Sequence, residues 1–185
     1  ESRKVASHIR SSAQQFLRYL YLSLAGVAAG MGILLAVVLG IDIPHLVREG
    51  TFQYNVTAGI GTAVTFIVGA LFAAVAGYLG MSIAVQANVR TAAAAREGLN
   101  PSFRVAFSGG TVMGLGMIGI AIVGITAIYL ITTNVSLVLG FSFGASALAL
   151  LAKAGGGIYT KIADISAGLV GKVEFGIAED DRRNP

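Results

Sequence analysis

Charged residues divide the chain into three long uncharged runs. There are 23 uncharged residues between Arg18 and Asp42, an uncharged stretch from Gly50 to Val89 before Arg90, and 48 uncharged residues between Arg104 and Lys153. The hydrocarbon core of a bilayer takes about 20 apolar residues per helix. The first run therefore predicts one membrane helix, and the second one long helix with an extension. The third is too long for a single crossing and is broken by Thr132-Thr133-Asn134-Val135-Ser136, so it predicts two helices joined by a tight turn. The expected fold is all-α, a polytopic transmembrane helix bundle with spans at about 17–41, 56–86, 104–132 and 136–160. The longer connections fall after the first and second helices. Residues 1–160 form the transmembrane region, and 161–185 read as a helix extension outside it.

Composition agrees with the membrane class: 55% of residues are hydrophobic, 12% are charged and the mean hydropathy is +0.78. Charge then sets the orientation. Four spans put both ends and the connection around 87–103 on one side, and that side holds twelve of the 13 Lys and Arg residues, Arg48 being the exception. Basic residues collect on the cytoplasmic side of short membrane loops, so both ends are expected there. The net charge of +4 thus reflects topology, with no nucleic-acid partner. The chain has no cysteine, which excludes disulfides, thiolate metal sites and cysteine nucleophiles. Glu1 to Arg18 is polar and amphipathic, unlike a signal peptide, and the first residue is not Met. The chain is therefore expected to be trimmed or incomplete at that end.

Several motifs have bland readings. Gly114-Leu115-Gly116-Met117-Ile118-Gly119 matches a dinucleotide fingerprint in letters only, because it has no preceding strand to deliver a turn and a helix N-terminus. The pairs Gly26/Gly30, Gly110/Gly114 and Gly140/Gly144 read as flat helix faces on which backbones approach closely. Gly155-Gly156-Gly157 before Thr160-Lys161 lacks the Gly before Lys and the Ser or Thr after it that a phosphate-binding loop needs. His8 and His45 stand alone, as surface residues.

The charges that follow are more informative. On a helix, positions 161, 164, 168 and 172 share a face, bringing Lys161, Asp164 and Lys172 together around Gly168, and Glu174, Glu179, Asp180 and Asp181 continue the run. A solvated helix face is the simplest account. Yet carboxylates suit a hard cation and ammonium groups suit a polyanion, so the combination points to phosphate and magnesium chemistry at a membrane surface.

The run from Gly155 through Lys161 and Asp164, then Leu169-Val170-Gly171-Lys172-Val173-Glu174, Glu179-Asp180-Asp181 and Arg183-Asn184-Pro185, resembles the membrane-integral pyrophosphatases, ion pumps driven by pyrophosphate hydrolysis. The resemblance extends upstream through Gly140 to Ser146, Val105 to Gly110 with Val112-Met113-Gly114, Ala87 to Ala92, Ala76 to Met81 and, more loosely, Phe16-Leu17-Arg18. It implies a homodimeric, all-helical enzyme of about sixteen membrane helices, of which 185 residues hold an early part. It further implies pyrophosphate as substrate, Mg2+ as cofactor and K+ as an optional second ion. Lys161 and Lys172 would bind substrate, and Asp164 and Glu179 would bind metal. Lys153 stands where the family carries an arginine tied to ion transfer, and Gly168 replaces a second magnesium-binding aspartate. The aspartate-rich segment that completes the family's metal cluster lies beyond Pro185, so this segment alone is expected to be inactive. Two other readings remain: a non-catalytic four-helix membrane scaffold or degenerate relative, and a small transporter, the latter disfavoured because no acidic residue lies within the spans.

The orientation is open to direct test. Cysteines placed at Ser2 and Glu49 should react with an impermeant thiol reagent from opposite faces of sealed vesicles. Labelling of both from one face would overturn the four-span topology.

Overall fold

The computed structural model describes residues 2–41, 55–174 and 176–178. The chain divides into two compact units, Glu1–Ala149 and Leu150–Pro185. Its helices are α1 (Ser2–Gly40), α2 (Thr62–Ala94, entered through a π-helical turn at Thr57–Gly61), α3 (Leu99–Thr132) and α4 (Val135–Glu174). The first three belong to the first unit; α4 starts there and continues through the second. All four are long and apolar enough to cross a membrane, and no strand occurs among the described residues.

The helices outrun the apolar spans. A helix of 34 residues such as α3 is about 50 Å long, against a hydrocarbon core of about 30 Å. Hydropathy reports only the part that needs lipid, whereas intrahelical hydrogen bonding carries the backbone onward. Ala92, Ala93 and Ala94, good helix formers, extend α2, and α3 begins at Leu99. The connection expected around 87–103 thereby shrinks to Ala95–Gly98. Gly98 sits at φ 130°, a conformation open to glycine alone at little cost. The polar break after α3 is the second tight turn. Thr133 adopts the left-handed conformation and donates its N–H to the Tyr129 carbonyl at 2.8 Å, and Asn134 Oδ1 accepts the Ser136 N–H at 2.9 Å. Together they close one helix and cap the next.

In the first unit α2 is the central helix. On one flank it meets α1 in antiparallel fashion: Gly32 faces Ile67, and the Tyr21 hydroxyl donates to the Ala74 carbonyl at 2.8 Å. Gly77 makes room for that phenol, since a Cβ there would lie 2.9 Å from its oxygen. Next to α3 it forms a hairpin in which Gly80 faces Met113 and Ala87 faces Gly109.

The tightest contact is with the start of α4, which runs parallel to α2. A Cβ on Gly69 would collide with the Phe141 carbonyl oxygen, and one on Gly144 with the Phe66 carbonyl oxygen. Gly140 lies against Thr62 and Thr65, where a Cβ would come to 2.5 Å from Thr65 Oγ1. Backbone rests on backbone here, which only glycine allows. Phe141, 2% exposed, fills the space beside the crossing, edge-on to Phe72 with ring centroids 5.4 Å apart. It also reaches Gly124 of α3. Thr65 is buried without penalty because its hydroxyl donates to the Gly61 and Thr62 carbonyls, each at 3.1 Å.

The other glycine pairs read from the sequence behave differently. Among the described residues, nothing outside the glycine's own stretch of helix backbone lies within 4 Å of a Cβ built at Gly26, Gly30, Gly110 or Gly114. The fingerprint-like Gly114–Gly119 run sits in mid-helix.

Gly69→Ala and Gly144→Ala should therefore each destabilise the protein by about 1–3 kcal/mol through overpacking, despite the gain of about 1 kcal/mol in helix propensity. A lowered midpoint in detergent thermal-shift measurements on the intact protein is the expected reading. An unchanged or raised midpoint in both would mean the helices are not in backbone contact.

Candidate functional site

Lys161, Asp164, Lys172 and Glu174 stand on the last turns of α4. That helix runs unbroken through Gly155, Gly156 and Gly157, which form no loop. It ends at Glu174, after which Gly176 takes φ 63° and the Ile177 N–H reaches back to the Gly171 carbonyl at 3.2 Å, a glycine-based stop.

Lys161 and Asp164 are brought together. The Lys161 ammonium donates to Asp164 Oδ2 at 2.8 Å across one helical turn, and the two side chains are 72% and 68% exposed. In water such a pair is weak and readily exchanged. It presents one cation able to meet a phosphate oxygen and one carboxylate able to meet a hard metal, each interim partner to the other.

Gly168 follows one turn after Asp164, with no side chain to add. Lys172 keeps the same face but lies three turns from Lys161, about 16 Å along the axis. The two lysines therefore stand as separate cations along the helix and do not form a single clamp. Lys153 lies about 12 Å before Lys161 and is rotated by about 80° around the helix, on a different flank. Glu179, with Asp180 and Asp181, lies outside the described residues.

This donor set would not by itself complete a metal site. Mg2+ takes six oxygen ligands in near-octahedral array, commonly several waters with one or two carboxylates and substrate phosphate oxygens. Among the described residues no three Asp, Glu, His or Cys side chains gather where they could hold a metal ion. Asp164 would offer one ligand.

Charge counting along the sequence assigns Arg90 and Arg104 only to orientation, yet the α2–α3 hairpin places them on one cleft of about 510 Å³ in the first unit. The missed signal is their symmetric placement on either side of the short Ala95–Gly98 turn.

Comparison with known proteins fixes the lineage. The family described as inorganic H+ pyrophosphatase matches residues 1–185. The K(+)-insensitive pyrophosphate-energized proton pump of Methanosarcina mazei is 43% identical over 183 residues, 99% of this chain and 25% of its own length. The putative K(+)-stimulated pyrophosphate-energized sodium pump of Clostridium tetani is 45% identical over 98% of this chain and 24% of its own. For the pyrophosphate-energized membrane proton pump 3 of Arabidopsis thaliana the figures are 39%, 98% and 25%. The chain spans about a quarter of the length of these relatives. A match over every residue, joined to four membrane-length helices and a charged helical end carrying Lys161 and Asp164, means that the chain belongs to the inorganic H+ pyrophosphatase family.

Proposed function

We propose that the chain is part of a membrane-bound inorganic pyrophosphatase that couples hydrolysis of magnesium pyrophosphate, on the cytoplasmic side, to translocation of a proton or a sodium ion. The observation that carries this reading is the exposed Lys161–Asp164 pair at 2.8 Å on a helix whose stretch before Lys153 is uncharged and apolar. On binding, the Lys161 ammonium turns from Asp164 to a phosphate oxygen in a charge-assisted hydrogen bond. The Asp164 carboxylate would hold Mg2+, and the metal would supply charge neutralisation at the phosphate oxygens. Lys172 draws the polyanion from farther along the helix. Lys153 retains the cationic charge for ion transfer but not the planar, multi-partner fork of an arginine.

Glu179 and the segments of the whole protein beyond this chain supply the remaining acidic ligands. The water-activating carboxylates fall to those segments too. The relatives' names include both K(+)-insensitive and K(+)-stimulated pumps, and both proton and sodium pumps. By the family resemblance, the choice of ion rests with later helices of the whole protein.

A second reading has one observation in its favour. Gly168 offers no carboxylate one turn after Asp164, as suits a non-catalytic four-helix scaffold. One set of variants of the intact protein, assayed for phosphate release at matched levels of folded enzyme, decides between the two. Lys161→Ala should raise the KM for pyrophosphate by about 10-fold or more, and Asp164→Asn should move half-maximal activation to higher magnesium. Gly168→Asp should increase the rate and lower the magnesium requirement, while Gly168→Ala should do neither. Unchanged hydrolysis in the first two variants across a magnesium titration would refute the site. Equal gains from Gly168→Asp and Gly168→Ala would show that backbone flexibility, not a missing ligand, limits the enzyme. Absence of pyrophosphate hydrolysis in every variant would leave the scaffold reading.

A further inference from the structure

The α2–α3 hairpin carries a second feature that pyrophosphate chemistry does not use. Its cleft has a cationic mouth and an apolar floor. Arg90 and Arg104 are exposed at the end nearer the Ala95–Gly98 turn, and Ile83, Val105 and Val112 line the part that descends from them. From Arg104 to Val112 is about 12 Å along α3.

The two walls are held at fixed separation. The Ser102 hydroxyl donates to the Thr91 carbonyl at 3.3 Å beside the turn. Deeper in, Gly109 lets the helices close to the point where a Cβ would lie 2.7 Å from Ala87 Cβ.

The uncharged polar groups of the cleft are already engaged within their own helices. Gln86 Nε2 donates to the Ser82 carbonyl at 3.0 Å, and the Ser108 hydroxyl to the Arg104 carbonyl at 2.8 Å. The guanidinium groups are not engaged: among the described residues neither Arg90 nor Arg104 has an acidic partner in ion-pair reach, Glu97 of the turn included. Two planar, five-donor cations are thus left facing the same opening, a geometry suited to phosphate oxygens.

The level of the cleft relative to lipid comes from α3 itself. Leu99, Phe103 and Phe107 are all well exposed at four-residue intervals, and the rings of the last two stack at 5.9 Å. An apolar ridge of this kind, running past Arg104, is at home at the boundary between acyl chains and headgroups. The arginine stems then lie in that boundary with their charged heads at its polar edge.

We propose that this cleft binds an anionic glycerophospholipid, with the headgroup phosphate between Arg90 and Arg104 and the upper acyl chain along Ile83, Val105 and Val112. Basic pockets between transmembrane helices are established receptors for acidic headgroups. The apolar floor selects a lipid over free phosphate, which would gain nothing below the mouth. The bound lipid completes the hairpin surface where two like charges would otherwise face each other unneutralised.

The test uses the intact protein in nanodiscs containing either phosphatidylglycerol or phosphatidylcholine with a photoactivatable diazirine on the acyl chain, and maps the cross-linked residues by mass spectrometry. Labelling within 83–112 should be several-fold stronger from phosphatidylglycerol. The Arg90→Gln, Arg104→Gln double variant should bring it down to the phosphatidylcholine level, the Arg90→Lys, Arg104→Lys variant should keep most of the preference, and excess inorganic phosphate should leave the labelling unchanged. Equal labelling by both lipids, undiminished preference in the glutamine variant, or displacement by inorganic phosphate would each overturn the proposal. So would absence of labelling from either lipid, the result expected if an acidic segment of the same protein covers the cleft.

Discussion

Backbone contact between α2 and α4 is the constraint on which the first unit depends. Lipid is as apolar as leucine, so helices inside a membrane gain little from hiding apolar side chains from it; close packing must hold them together. Gly69 against the Phe141 carbonyl and Gly144 against the Phe66 carbonyl bring two backbones into van der Waals contact over more than one turn. Phe66 and Phe141, the least exposed of the buried apolar residues, then seal the sides of that crossing. The Tyr21–Ala74 hydrogen bond and the Gly80 and Gly109 contacts attach α1 and α3 to the same central helix. Large apolar residues such as Ile131, Leu130 and Val123 remain exposed, as suits faces that meet lipid or further helices and not water.

Much of this fold is legible in the sequence. Runs of uncharged residues mark four helices because a crossing helix satisfies its own backbone and needs only apolar side chains. The helix ends are less legible. Ala92 to Ala94 and Leu99 to Ser102 carry no hydropathy signal for a crossing, but they lie in helices because local propensity and intrahelical bonding suffice there. Glycine spacing marks flat faces without saying which are used. Among the described residues Gly140/Gly144 meets a partner helix and Gly26/Gly30 and Gly110/Gly114 do not, a distinction set by tertiary arrangement.

The site divides in the same way. The three-residue step from Lys161 to Asp164 makes their pairing readable, because helix geometry alone places them one turn apart. Their 2.8 Å contact is a local fact. Lys172 shares the face, yet the axial rise of the helix separates it from Lys161, a distance that a face diagram hides. A magnesium site of the kind proposed would draw ligands from several segments, and a quarter of a protein would show only its own share. Arg90 and Arg104 escape sequence reasoning for a related reason: their proximity depends on a turn of four residues, Ala95–Gly98, in place of the longer loop expected from hydropathy.

Hydrolysis and transport must be one process if this chain is part of a pyrophosphate-driven pump. The decisive measurement is made on sealed vesicles containing the intact protein, with phosphate release and internal pH or sodium followed together after magnesium pyrophosphate is added outside. The account predicts that ion uptake begins with hydrolysis, stops when the pyrophosphate is consumed, and does not occur with inorganic phosphate. Hydrolysis that proceeds without any proton or sodium gradient in ion-tight vesicles, or no hydrolysis at all, would contradict it.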